Sequence, residues 1–148
     1  MKPAGSGARS QNGRAANKAI YALALVGVIG VGIGIRKVSL GLPPLVPKIA
    51  GDALWAFAVF LCFRLLTPNR STQQVGLAAA LFCVVIEFSQ KIHAPWLEAL
   101  RRTLPGRLTL GSVFAWADFS YYALGMIVAL LFDAALRGRT PAAANEFI

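Results

Sequence analysis

The chain has 148 residues, 57% of them hydrophobic and only 14% charged. Soluble domains carry about 25% charged residues, so the composition excludes an ordinary soluble enzyme or binding module and leaves room for one membrane-embedded domain. The net charge of +9 would suit nucleic acid in a soluble protein, but no aromatic–basic nucleic-acid module is visible, and in a membrane protein that charge faces anionic lipid headgroups.

Residues 1–17 are mostly Gly, Ala, Ser, Asn and Arg and read as a disordered basic tail. Residues 19–35 follow as 17 uncharged positions, about 26 Å of helix. A basic stretch before an apolar run imitates a signal peptide. Here Arg36-Lys37-Val38 stands where a small-residue cleavage site would be, so the run reads as a retained first span. Gly30 and Gly34, with Ala24 and Gly27, give it a small-residue face expected to pack inside the bundle. The prolines of Gly41-Leu42-Pro43-Pro44-Leu45-Val46-Pro47 predict a stiff extended connection.

A second span is expected over 52–66, with Arg64 snorkelling to the interface. The polar turn Thr67-Pro68-Asn69-Arg70-Ser71 leads to a third span over 75–90. Pro95 then opens a short helix in which Trp96, Leu97, Leu100 and Leu104 share one arc, which predicts an interfacial helix ended by Pro105-Gly106. Residues 108–116 return as an apolar stretch, and the fourth span is expected over 112–136. The fold class is therefore all-α: a polytopic four-span bundle with an interfacial helix between spans three and four. Its membrane domain covers 18–137, and 138–148 form a loose tail. Cys62 and Cys83 lie 21 residues apart inside apolar runs and read as small hydrophobes, with no disulfide or metal pattern.

Three carboxylates interrupt this apolar sequence: Asp52, Glu87 and Asp118. A carboxylate in hydrocarbon costs about 2.5–3.5 kcal/mol on insertion scales, and ionisable groups within spans face a bundle interior or one another. Four alternating spans bring the end of span one (Arg36), the start of span two (Asp52, Trp55), the end of span three (Glu87, Gln90) and the start of span four (Trp116, Asp118, Tyr122) to one leaflet. His93, Trp96 and Arg101 of the interfacial helix lie over them, with Arg107 just beyond. Glu87 and Gln90 share a helical face, as do Asp118, Tyr122 and Gly125. The competing reading is a set of salt bridges, such as Arg36 with Asp52 or Arg101 with Glu87, that only locks the bundle. No metal constellation is present, no cofactor is implied, and neither Ser89 nor Ser120 has a base beside it. An enzyme is therefore not favoured.

Four spans put both termini on one side. Lys2, Arg9, Arg14, Lys18, Arg64, Arg70, Arg137 and Arg139 make eight basic residues there, against seven opposite: Arg36, Lys37, Lys48, Lys91, Arg101, Arg102 and Arg107. The basic tail before the first span sets the termini in the cytoplasm.

Gly51-Asp52-Ala53-Leu54-Trp55-Ala56, Glu87-Phe88-Ser89-Gln90, Pro95-Trp96-Leu97 and Phe114-x-Trp116-x-Asp118-x-x-x-Tyr122-x-x-Gly125 together resemble domain-of-unknown-function family 2809. That resemblance covers about residues 20–133 and implies a multi-pass protein of the bacterial inner membrane with no established activity. A fainter similarity is to the VanZ-like family, associated with resistance to teicoplanin-type antibiotics. Glu87 with Gln90, Pro105-Gly106-Arg107, Asp118 and Gly125 match its pattern, whereas Tyr122 stands where that pattern has Asn and the interval from Arg107 to Asp118 is longer.

The reading that follows is a membrane protein whose acid/Arg/Trp cluster binds a lipid or other envelope amphiphile. Membrane lipids are the expected partners, and Arg101 and Arg107 are suited to a phosphate. The alternatives are a non-catalytic assembly or anchoring protein, working through a second copy or a partner membrane protein, and a small proton-coupled transporter subunit.

Overall fold

The structure, a computed structural model, describes residues 6–37, 41, 43–111 and 113–138; the side chains at 6–15, 36, 37, 104, 107 and 108 lie outside that description. Its helices are α1 (Ser6–Lys37), α2 (Leu45–Leu66), α3 (Thr72–Ser89), α4 (Pro95–Arg102), α5 (Leu104–Leu110) and α6 (Asp118–Gly138), and no strand occurs among the described residues. Four helical stretches are long and apolar enough to cross a membrane: Ala16–Ile35 within α1, and α2, α3 and α6. The protein is a helical, multi-spanning membrane protein. α1 begins at Ser6, inside the stretch expected to be loose; once an apolar helix is nucleated, adding a residue to its end is cheap. The expected tail beyond residue 138 lies outside the described residues.

Several boundaries differ from expectation for local reasons. The proline-rich connection is shorter than expected, because α2 starts at Leu45 and takes Pro47 into its first turn. A helix leaves its first N–H groups unpaired, so proline's missing donor costs nothing there. Lys48 thereby moves from a loop into the helix, one turn before Asp52. α3 starts at Thr72 rather than 75 because Ser71 caps it: Gln74 donates its backbone N–H to Ser71 Oγ, and Ser71 donates its own to Gln74 Oε1, both at 3.2 Å.

Pro105-Gly106 opens a helix rather than closing one. Thr103 Oγ1 accepts the Gly106 N–H at 3.1 Å and caps α5. A Cβ at residue 106 would lie 1.9 Å from the Leu100 carbonyl oxygen, so only glycine passes this corner. Gly111, at φ +61°, ends α5. α6 then starts at Asp118 instead of 112.

α2 lies at the centre and packs against α1, α3 and α6. Phe60 and Leu61 of α2 meet Tyr21 of α1, Val75 and Ala79 of α3, and Met126 and Ala129 of α6 in one buried core. α6 crosses α2 closely: a Cβ at Gly125 would stand 2.0 Å from the Ala53 carbonyl oxygen. α1 turns Tyr21, Ala24, Leu25 and Val28 toward the core. Its glycines 27, 30 and 34 meet nothing within 4 Å. Of the small-residue face expected to pack inside the bundle, Ala24 does so, whereas the three glycines make no such contact. Large apolar side chains such as Leu23 (72% exposed) and Leu66 (79%) also point outward, as lipid-facing surfaces require.

These contacts predict unequal costs for two glycines. Gly125→Ala has to push backbone apart and should lower stability by about 1–3 kcal/mol. Gly30→Leu should not lower it, and thermal unfolding in detergent compares the two directly.

Candidate functional site

α6 carries the frame of the site. Asp118, Tyr122, Gly125, Ala129 and Asp133 recur at helical spacing and all meet α2 or α3. Asp118 and Asp133 are 15 residues apart, about 22 Å along the axis. The bundle thus holds two polar layers separated by the apolar core, inside a hydrocarbon thickness of about 30 Å.

The first layer gathers most of the residues expected at one leaflet. Lys48 Nζ binds Asp52 at 3.0 Å and also binds Asp118, so one ammonium joins the starts of α2 and α6. Glu87, fully buried, accepts three hydrogen bonds: from the Ala115 backbone N–H at 3.0 Å, the Tyr122 hydroxyl at 2.6 Å and the Gln90 amide at 3.2 Å. Glu87 thus ties α3 to the segment entering α6. Trp55 lies against Tyr122, ring centroids 5.4 Å apart, and stacks on Phe82 at 6.5 Å.

Arg101 is buried, but it donates to the carbonyls of Ser89 at 2.6 Å and Ile92 at 3.0 Å rather than to Glu87. A guanidinium there satisfies orphan carbonyls at the end of α3 and suits the negative end of the helix dipole. Of the two salt bridges in the competing reading, Arg101 with Glu87 is not formed, because carbonyls take Arg101 and Glu87 is bound by Ala115, Tyr122 and Gln90; Arg36 with Asp52 lies outside the described side chains. Arg36 and Arg107 fall among the side chains outside the description. Trp96 and Trp116 are both 69% exposed and stand apart from the inner layer. His93 meets Glu98 at 3.3 Å on the surface. Lys48 escapes any sequence reading that leaves it in the loop; the signal for it is the i, i+4 spacing of Lys48 and Asp52 once Pro47 is allowed in a first turn.

The second layer is not among the sequence expectations. Arg64, expected to snorkel, is only 2% exposed and forms an ion pair with the fully buried Asp133. Asp133 also accepts from the Tyr21 hydroxyl and the Thr72 hydroxyl, both at 2.6 Å. Arg64 and Arg137 both donate to the Arg70 carbonyl at 2.8 Å. Snorkelling loses because these acceptors hold both terminal nitrogens of the guanidinium inside the bundle, leaving only Nε without a partner. Asp133 lies 15 residues after Asp118 on the same helical face, which is the signal the sequence offers.

An apolar groove of about 670 Å³ runs beside α2 from Gly51 to Leu66, walled by α1 through Leu25 and Ile29 and by α3 through Phe82 and Ile86. Pro105 and Leu110 of α5 border it. Trp55 belongs to this groove and, through Tyr122, to the first polar layer.

Breaking the second layer from one side leaves a buried charge. Asp133→Asn should cost about 3–5 kcal/mol. The paired change Arg64→Met with Asp133→Leu should recover most of that loss, read as thermal midpoints of the four proteins of a double-mutant cycle.

No solved structure matches the chain. The model of a family described as proteins of unknown function, DUF2809, matches residues 42–126, more than half the sequence. The matched segment takes in Lys48, Asp52, Glu87, Asp118 and Tyr122 and stops before Asp133. The fainter VanZ-like similarity is not borne out. The chain belongs to the DUF2809 family.

Proposed function

We propose that this protein binds one membrane amphiphile. The head group lies at the Lys48–Asp52–Glu87–Asp118 layer and the hydrocarbon lies in the groove along α2. The observation that carries this reading is Trp55, whose indole lines the groove and touches Tyr122, the donor to Glu87. An apolar channel ending at fixed polar groups is the general form of an amphiphile site. Two buried atoms there lack a partner, Gln90 Oε1 and Arg101 Nε; an acceptor and a donor left over beside the layer suit a polar head group or ordered water. Arg101 is occupied by carbonyls, so Lys48, 44% exposed at its side chain, takes over as the cation nearest to a bound head group.

A second reading, an assembly or anchoring protein, draws support from the outward glycine face of α1. It would engage a second copy or a partner membrane protein. A proton-coupled transporter draws less support, because Phe60, Leu61, Ala79 and Met126 fill the space between the two polar layers. We place the protein in the bacterial inner membrane with both termini cytoplasmic. The basic tail supports that orientation.

Native mass spectrometry from lipid nanodiscs tests the site. The wild type should retain one lipid species in the groove at one copy per chain. Ala58→Phe, which fills the groove, should expel it with folding intact, and Glu87→Gln should weaken retention. Equal retention by all three proteins would refute the reading. For orientation, a fluorescent protein fused at the C-terminus should glow in intact cells, whereas a periplasm-dependent phosphatase fused there should stay inactive; the reverse pattern would invert the topology.

A further inference from the structure

Lys91, just past the end of α3, points into aromatic rings rather than toward a carboxylate. Its Nζ stands 4.0 Å from the ring centroid of Phe114, 5.2 Å from that of Trp116 and 5.7 Å from that of Phe88. Trp116 stands nearly perpendicular to both phenylalanines, at 84° to Phe114 and 85° to Phe88. Phe88 and Phe114 lie within 31° of parallel. The three rings therefore form a corner whose walls all approach one ammonium. Phe119 braces it, with its centroid 5.8 Å from both Phe88 and Trp116. None of the ion pairs among the described residues involves Lys91.

The corner is built from the end of α3 and the segment entering α6, and it faces out. Phe88 is 44% exposed, Trp116 69%, and Lys91 is exposed as well. Its position follows from chain geometry: Phe88 is next to Glu87 and Trp116 is two residues from Asp118, so the rings sit at the level of the first polar layer. Glu87 turns inward to Tyr122 and Ala115, whereas Phe88 turns outward. The corner is thus a separate place from the inner layer and does not depend on the function proposed there.

We propose that this aromatic corner is a seat for the ammonium of a zwitterionic phospholipid head group, with Lys91 as its resident stand-in. Ring faces attract any ammonium, and aromatic cages are a recurrent way of holding amine head groups. Among the described residues Lys91 Nζ is held by ring faces, on a flexible four-carbon stem, so it yields easily to a competing cation. When a lipid ammonium enters, the displaced Lys91 ammonium meets the phosphate of the same head group. Charge is exchanged like for like, and an ammonium and a phosphate are read together. A head group without an ammonium, such as glycerol, leaves the rings to Lys91.

The test uses the full chain in nanodiscs of equimolar phosphatidylethanolamine and phosphatidylglycerol, with bound lipids counted by native mass spectrometry. The wild type should enrich phosphatidylethanolamine about two- to fivefold over the bulk ratio. Phe114→Leu and Trp116→Leu should each return that ratio to bulk. Lys91→Gln, which vacates the seat, should keep the preference. Trp116→Leu removes a mostly exposed ring, so it carries the test even if Phe114→Leu fails to fold. Absence of enrichment in the wild type, or enrichment that survives loss of Trp116, overturns the proposal. So does a preference for phosphatidylglycerol that disappears in Lys91→Gln, since that result would make Lys91 a simple phosphate anchor.

Discussion

The interaction on which this bundle depends is the ion pair of Asp133 with Arg64. A carboxylate and a guanidinium with almost no exposure persist in an apolar protein by binding each other and recruiting further hydrogen bonds. Asp133 does this by drawing on three other spans: Arg64 from α2, Thr72 from α3 and Tyr21 from α1. α1 owes its place largely to that arrangement. It lies against α2, and Tyr21 is where it reaches α6. In lipid, apolar side chains gain little by leaving one hydrocarbon surface for another, so directed hydrogen bonds decide where the first helix stands.

The groove follows from that placement. Tyr21 of α1 and Thr72 of α3 both bind Asp133, and each of the two helices packs on α2. Phe82 and Ile86 of α3 and Leu25 and Ile29 of α1 become opposite walls of a channel rather than contact partners. At the far end Glu87 pulls the segment before α6 inward through the Ala115 N–H, while Gly111 lets the chain turn there. The groove thus runs beside α2 between two polar anchors set about 22 Å apart, next to the packed core.

The four spans are legible in the sequence because predominantly apolar runs near bilayer length fit little except a bilayer. The first polar layer is legible because alternation alone sends Asp52, Glu87 and Asp118 to one leaflet. Four things are not legible. Pro47 looks like a helix breaker, and only its position within three residues of the helix start makes it harmless; Lys48 is lost with it. Pro105-Gly106 looks like a stop, yet the cap that makes it a start is Thr103, a residue whose role depends on the angle between α4 and α5. Arg64 looks like a snorkelling residue because its partners lie 69 residues away at Asp133 and in the Arg70 carbonyl, and sequence spacing says nothing about such partners until the helices are placed. The outward direction of Gly30 and Gly34 is hidden for a related reason. A small-residue stripe permits close approach but does not choose which neighbour makes it.

The two polar layers use the same chemistry, a cation bound to a carboxylate of α6, but differ in what surrounds it. In the second layer both partners are closed off, Arg64 at 2% and Asp133 at 0% exposure. Nothing can enter without breaking the bond that holds α1, and this is what a lock requires. In the first layer Lys48 keeps 44% of its side chain exposed while Asp118 keeps 6%. An ammonium held from below and open from above can gain a partner without giving up the contact that joins α2 to α6. Trp55 places that opening against the apolar channel. Assigning the lock to Arg64–Asp133 frees the Lys48–Asp118 layer from being the bundle's sole fastening, and that division of labour is what allows one end of so small a bundle to serve as a site.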